Sequence, residues 1–168
     1  MATSSTRTRI SNRPRLPRGP ASAWKRASTS TRAQIDDVMS WHADVDSAGH
    51  ALEGSCVYVL HFDRSHEPPA RGCWSLAMYD QRSLPVDNQL HRFAIGDRDE
   101  LEFNDDGSLD IVVRGEAAGP VPRVNWLPAP AARFFLILQI HGPLPTALNG
   151  LWQPPPIRCI ERFTMPAF

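Results

Sequence analysis

Between positions 79 and 92 the chain gathers its densest set of side chains able to do chemistry: Tyr79, Asp80, Asp87, Asn88 and Arg92. Two carboxylates beside a guanidinium can act as acid and base on a polar substrate while the arginine holds an anionic group. The same residues have a simpler use. Asp80 and Asp87 bracket an expected turn, where an Asp side chain accepts backbone N–H bonds, and Arg92 can pair with either. The spacing shows no nucleophile–base relation, so the structural use is the leading reading. Asn125 and Trp126, in the stretch NWLPAP, and His141, at the end of an apolar run, complete the candidate ligand-binding set. No residue is assigned a catalytic role.

Histidine and cysteine offer less. His61 and His66 stand five apart in HFDRSH, within loose zinc spacing, but no second ligand pair accompanies them. They read as surface or edge histidines, and no metal or cofactor is expected. Cys56, Cys73 and Cys159 are widely spaced and form no C-x-x-C pair, which argues against a disulfide framework or thiolate site. Each falls in an apolar run, where free cysteine packs as a small hydrophobe. Gly-rich phosphate loops, G-x-S-x-G elbows and H-E-x-x-H motifs are absent from the sequence, removing the commonest nucleotide, serine-hydrolase and metalloprotease routes.

The elements that must position these residues follow from periodicity. AQIDDVMSW (33–41) spaces Ile35, Val38 and Met39 for one face of a short helix. After it the period turns to two. Strands are expected at 55–63, 73–80, 90–96, 101–103 and 109–115, with Asp106-Gly107 supplying a tight hairpin between the last two. RFFLILQIH (133–141) is apolar on both faces in its middle, as a central strand buried on two sides would be. IRCIERF (157–163) reads as the last strand, and PTALNG (145–150) allows one helical turn. Pro128 and Pro130 bar NWLPAP from a central strand and make it a stiff lead-in to the strand at 133. We expect a structural corner there, with Trp126 largely buried. Short strands at regular intervals predict an all-β, antiparallel sandwich over residues 42–163.

Charge is divided unevenly. The net charge is +0, yet 8 of the 18 basic residues precede Asp36, the first acid. The remaining 10 basic residues face 18 acidic ones, a balance of −8. Residues 1–34, rich in Arg, Ser, Thr and Pro, are expected to form a disordered basic arm or to be sequence upstream of a misassigned start. Basic runs without interleaved aromatics are unspecific, so nucleic-acid binding is expected only weakly and through this arm. No apolar run reaches the length of a membrane span and no secretory signal is readable, so a cytoplasmic location is expected.

Taken in order, ALEGSCVYVLHF, PPARGCWSLAMYD, DNQLHRFAIGDR, DDGSLDIVV, NWLPAP, a strand ending in GP, and GLWQPP resemble the domain of unknown function 1214 over His42 to Arg162. The resemblance implies a jelly-roll-like β-sandwich, often the partner of another β-domain, the domain of unknown function 1254. It implies no reaction. Cys73 stands where relatives commonly carry Phe, and Gln139 and His141 where they commonly carry Arg and Tyr. The expected function is therefore a module that binds a small polar ligand or packs on a partner β-domain without catalysis. The alternatives are a hydrolase-like enzyme on a polar or anionic substrate, and an inactive remnant of a two-domain protein.

Overall fold

Alternating burial organises the molecule into two sheets that share one core. The computed structural model describes residues 23–27, 38–115 and 125–163. Its strands are β1 (Lys25–Arg26), β2 (Val38–Ala43), β3 (Cys56–Phe62), β4 (Ala70–Asp80), β5 (Ala94–Gly96), β6 (Leu109–Arg114), β7 (Trp126–Pro128), β8 (Phe134–Pro143) and β9 (Ile157–Arg162), with one helical turn, α1 (Pro145–Leu148). One sheet has the order β1-β2-β8-β4-β5 and the other β7-β6-β3-β9. The β-sandwich expected from period-two patterning is thus the fold. One pair departs from the antiparallel expectation, since β7 runs parallel to β6 at the edge of the smaller sheet.

The core lies between the sheets. Trp41, Leu76, Met78, Leu136, Leu138 and Ile140 from the larger sheet join Tyr58, Leu60, Phe62, Ile111, Val113 and Ile157 from the smaller in one apolar cluster. Each fully buried aliphatic side chain contributes roughly 1.5–3 kcal/mol of burial free energy. No helix of the described residues is long and apolar enough to cross a membrane.

Four expectations are corrected. Residues 38–41 are strand and not helix: Met39, Trp41 and Ala43 point inward alternately, and β2 pairs with β8 throughout. Residues 33–37 of that expected helix lie outside the described residues. The strand expected at 90–96 shrinks to 94–96, because Asn88 takes up the backbone before it. The Asn88 amide donates to the carbonyls of Val86 and Arg92 and accepts from the N–H groups of Leu90 and Arg92. Residues 101–103 form no strand, because the Asn125 side chain occupies the backbone groups of Glu102. Finally, β8 is central as expected but is buried on one face only; its outward residues Phe135, Ile137, Gln139 and His141 stay half-exposed.

Most of the expected arm lies outside the described residues, but residues 23–27 do not behave as a tail. Lys25 and Arg26 pair with His42 and Trp41. Trp24 is only 6% exposed, and its indole N–H donates to the Pro155 carbonyl at 2.8 Å. One large aromatic with one hydrogen bond is enough to hold so short a segment on the body.

Candidate functional site

None of the clefts described among the described residues is lined by the seven residues of the predicted set. Asp80 ends β4 and closes the turn after it, accepting the N–H groups of Arg82 and Leu84 at 2.8 and 2.9 Å. Asp87 is 85% exposed and approaches only the exposed His91, at 3.7 Å. Arg92 reaches away from both carboxylates and donates to the Trp126 carbonyl at 3.0 Å. Among the described residues no ion pair joins Arg92 to Asp80 or Asp87. Tyr79 stacks on Phe135, and His141 lies one strand over from Cys73.

Asn125, Trp126 and Arg92 do come together, as a corner. The Asn125 side chain accepts from the Glu102 N–H at 2.9 Å and donates to the Glu102 carbonyl at 2.6 Å, standing in for a strand partner. The Trp126 indole N–H donates to the Arg114 carbonyl at 3.0 Å. Trp126 is half-buried, less than expected; the residue that fills the core here is its neighbour Leu127, at 0% exposure. Farther along the same stretch, the Pro130 backbone passes so close to Gly54 that a side chain there would collide with it.

Two regions that sequence reasoning passed over are better defined. The first is the outward face of the larger sheet. On β2 it presents Val38, Ser40 and His42, on β4 Cys73, Ser75, Ala77 and Tyr79, and on β8 Phe135, Ile137, Gln139 and His141, all half-exposed. None of these is Asp, Glu, Lys or Arg. At one end the rings of Tyr79 and Phe135 stack at 5.6 Å, and His42 meets Phe135 edge-on at 4.7 Å. Cys73, Gln139 and His141 all fall on this face, with Cys73 directly opposite His141. The signal was present in RFFLILQIH, whose second apolar face we read as buried.

The second region is a cleft of about 370 Å³ beside β3 and β9. His61, Asp63 and His66 line it from the end of β3 and the following turn, and Arg158 lines it from β9. Trp152 and the run Pro154–Pro156 form its apolar wall. That wall is tied on both sides. The Trp152 indole N–H donates to the His66 carbonyl at 2.9 Å, and Trp24 holds the Pro155 carbonyl. His61 is held by two carboxylates, Asp110 Oδ1 at 2.6 Å from Nδ1 and Asp63 Oδ1 at 3.4 Å from Nε2. The hydrogen bond to Asp110 pushes the His61 pKa above its ordinary value. Asn104 fixes the other Asp110 oxygen at 2.9 Å. No group of His, Cys, Asp or Glu among the described residues has a metal-binding arrangement. His61 and His66 are exposed, as expected of surface histidines, and both line this cleft.

Two of the three cysteines, Cys56 and Cys159, are poorly placed to react. All three are free thiols; Cys56 is fully buried, and burial pushes the Cys159 thiol up to about 11. A thiolate would be scarce there at neutral pH.

Comparison with known proteins adds a family and a fold. A family model described as "Protein of unknown function (DUF1214)" matches residues 37–145. No curated protein matches. Among solved structures, the crystal structure of the VPA0106 protein from Vibrio parahaemolyticus is similar at 28% identity and a TM-score of 0.66, over 75% of this chain and 31% of that one. An uncharacterised protein from Burkholderia cenocepacia is similar at 17% identity and a TM-score of 0.46, over 78% of this chain and 31% of that one. The chain therefore spans 31% of the length of each of these solved proteins.

Proposed function

We propose that this chain, which belongs to the family described as "Protein of unknown function (DUF1214)", is a β-sandwich module that packs against a partner domain through the outward face of its larger sheet and works without catalysis. The observation that carries this reading is the composition of that face: three strands wide across β2, β8 and the 73–79 stretch of β4, aromatic at one end, and without Asp, Glu, Lys or Arg at those outward positions. Charge is depleted from the centres of interfaces because each buried ion must lose its water, and aromatic rings are enriched there because they bury area at low entropic cost. The similar Vibrio protein is about three times longer than the stretch matched, which fits a module that normally sits beside other structure. The same features are those of one part of a two-domain protein that is stable but inactive alone. The scattering of Asp80, Asp87 and Arg92 gives the hydrolase alternative no shared pocket among the clefts described. We propose a cytoplasmic location, which three free thiols support because they suit a reducing compartment.

A photo-crosslinking side chain at Ile137, compared with one at Arg158 on the opposite sheet, tests the reading in producing cells. Position 137 is expected to cross-link to one discrete β-domain, identified by mass spectrometry, and position 158 is not. Equal, diffuse labelling from both positions would remove the support for a docking face.

A further inference from the structure

The cleft beside β3 and β9 has a use that packing does not require. We propose that it binds a small organic anion, whose charged head sits between Arg158 and His61 and whose apolar body lies on the wall of Trp152 and Pro154–Pro156.

Three observations converge on that chemistry. Arg158 is exposed, lines the cleft, and makes no ion pair among the described residues, so its guanidinium fork is open to a carboxylate or phosphate. His61 lies nearby with its Nδ1 side fixed by Asp110, so the ring is held in one orientation with Nε2 directed away from that anchor. The apolar wall is prepared in advance, because two indole N–H bonds from different parts of the chain hold it in place. Stiff proline and buried Trp152 lose little freedom when a ligand settles on them.

The charges around His61 determine how the site works. Asp110, which holds Nδ1, favours its protonated form most, with Asp63 and then Asp106 adding to it. Asp63 is the competitor: at 80% side-chain exposure it sits loosely, 3.4 Å from Nε2, where a ligand oxygen would go. A bound anion takes the place of Asp63, which swings into water at little cost. His66, with its Nδ1 on the Arg64 carbonyl, adds a second ring at the rim. The site is independent of the docking face, which lies on the other sheet.

Benzoate and phenyl phosphate are suitable probes, with benzyl alcohol as the uncharged control, followed by NMR titration of the full chain. Both anions are expected to saturate, with shifts centred on His61, Arg158 and the Trp152 indole. Benzyl alcohol and the Arg158→Gln variant should each bind at least ~10-fold more weakly, the loss of about one charge-assisted contact. Asp63→Asn should bind both anions a few-fold more tightly, since it removes the competing carboxylate. Benzoate affinity should fall as pH rises through the raised His61 value and the ring loses its proton, and His61→Gln should abolish that fall. Thermal melts identify any variant that fails to fold, and the Asp63→Asn and pH results then decide alone. Failure of both anions to saturate, equal binding by the uncharged control, or weaker binding by Asp63→Asn would overturn the proposal.

Discussion

The two sheets turn similar apolar surfaces toward each other and very different surfaces away. Behind β2, β8 and β4 the outward face is a continuous patch of uncharged residues with stacked rings. Behind β6, β3 and β9 the outward side carries His61, Asp110 and Arg158, bordered by a proline-walled cleft. A sheet that will stay solvated alternates apolar-in with polar-out, and the smaller sheet does so in part, setting His61, Asp110 and Arg158 beside Val59 and Val112 on its outward side. The larger sheet drops the charge from its outer positions while keeping its half-exposed rings. Of the two faces, this is the one whose exposure is unexplained by the chain alone.

The sharpest way to break the polar side is to remove its brace. Trp24→Ala should cost about 3–5 kcal/mol in a denaturation midpoint measurement, the usual range for emptying a large aromatic site. It should also weaken anion binding at the cleft, because the Pro155 carbonyl loses its donor. A melt within error of wild type would mean that the wall stands unaided. The corner between the sheets comes next. Trp126→Ala should cost roughly 2 kcal/mol, below the fully buried range because the ring is half-exposed. Asn125→Ala should cost about 1 kcal/mol, since both Glu102 backbone groups it serves are near solvent and regain water in its place. Near-wild-type midpoints for both would identify this stretch as a binding wall and not a corner.

Much of this was legible in the sequence, and the misses share a cause. Strands β3, β4, β6, β8 and β9 follow from alternation and Pro/Gly punctuation, and the corner follows from two prolines next to an Asn. Burial on one side of a sheet is what period two reports. It is silent on whether the other side is covered, so Phe135 and Ile137 read as core. Local polar chemistry was equally hidden. Asn88 stole a strand's backbone through side-chain bonds within four residues, which a count of apolar periods does not register, and Asn125 stole the groups of Glu102 from far along the chain. The cleft is assembled from a strand end at 61–66 and a loop at 151–156, about 90 residues apart, tied by an indole bond that spacing could not reveal. Trp24 was visible as the one large aromatic in a polar stretch, and that was the available signal.

Smaller effects sharpen the contrast between faces. Ile137→Lys should leave folding stability within about 0.5 kcal/mol, as surface substitutions do, yet abolish the cross-link from a probe at a neighbouring outward position. A loss of several kcal/mol would instead show that the face is internally packed. The smallest effect expected is that of pH on the polar side. The folded-state pKa of His61 is raised, so its contribution to stability is fully present below its unfolded value and disappears as pH rises through the folded value. Wild type should therefore lose a small increment of stability as pH rises from the ordinary histidine value through the raised one, a loss that His61→Gln lacks, and the exposure of the pair keeps that increment small.

Cys73 offers the most direct test, because it lies half-exposed on the uncharged face opposite His141. Site-resolved maleimide labelling can compare the purified chain with the protein in intact cells, with a cysteine introduced as Arg158→Cys serving as reference on the opposite sheet. The docking account predicts that Cys73 labels readily in the purified chain and is protected in cells, while the reference position labels in both. Equal labelling of Cys73 in the two settings would contradict the claim that this face is covered by a partner.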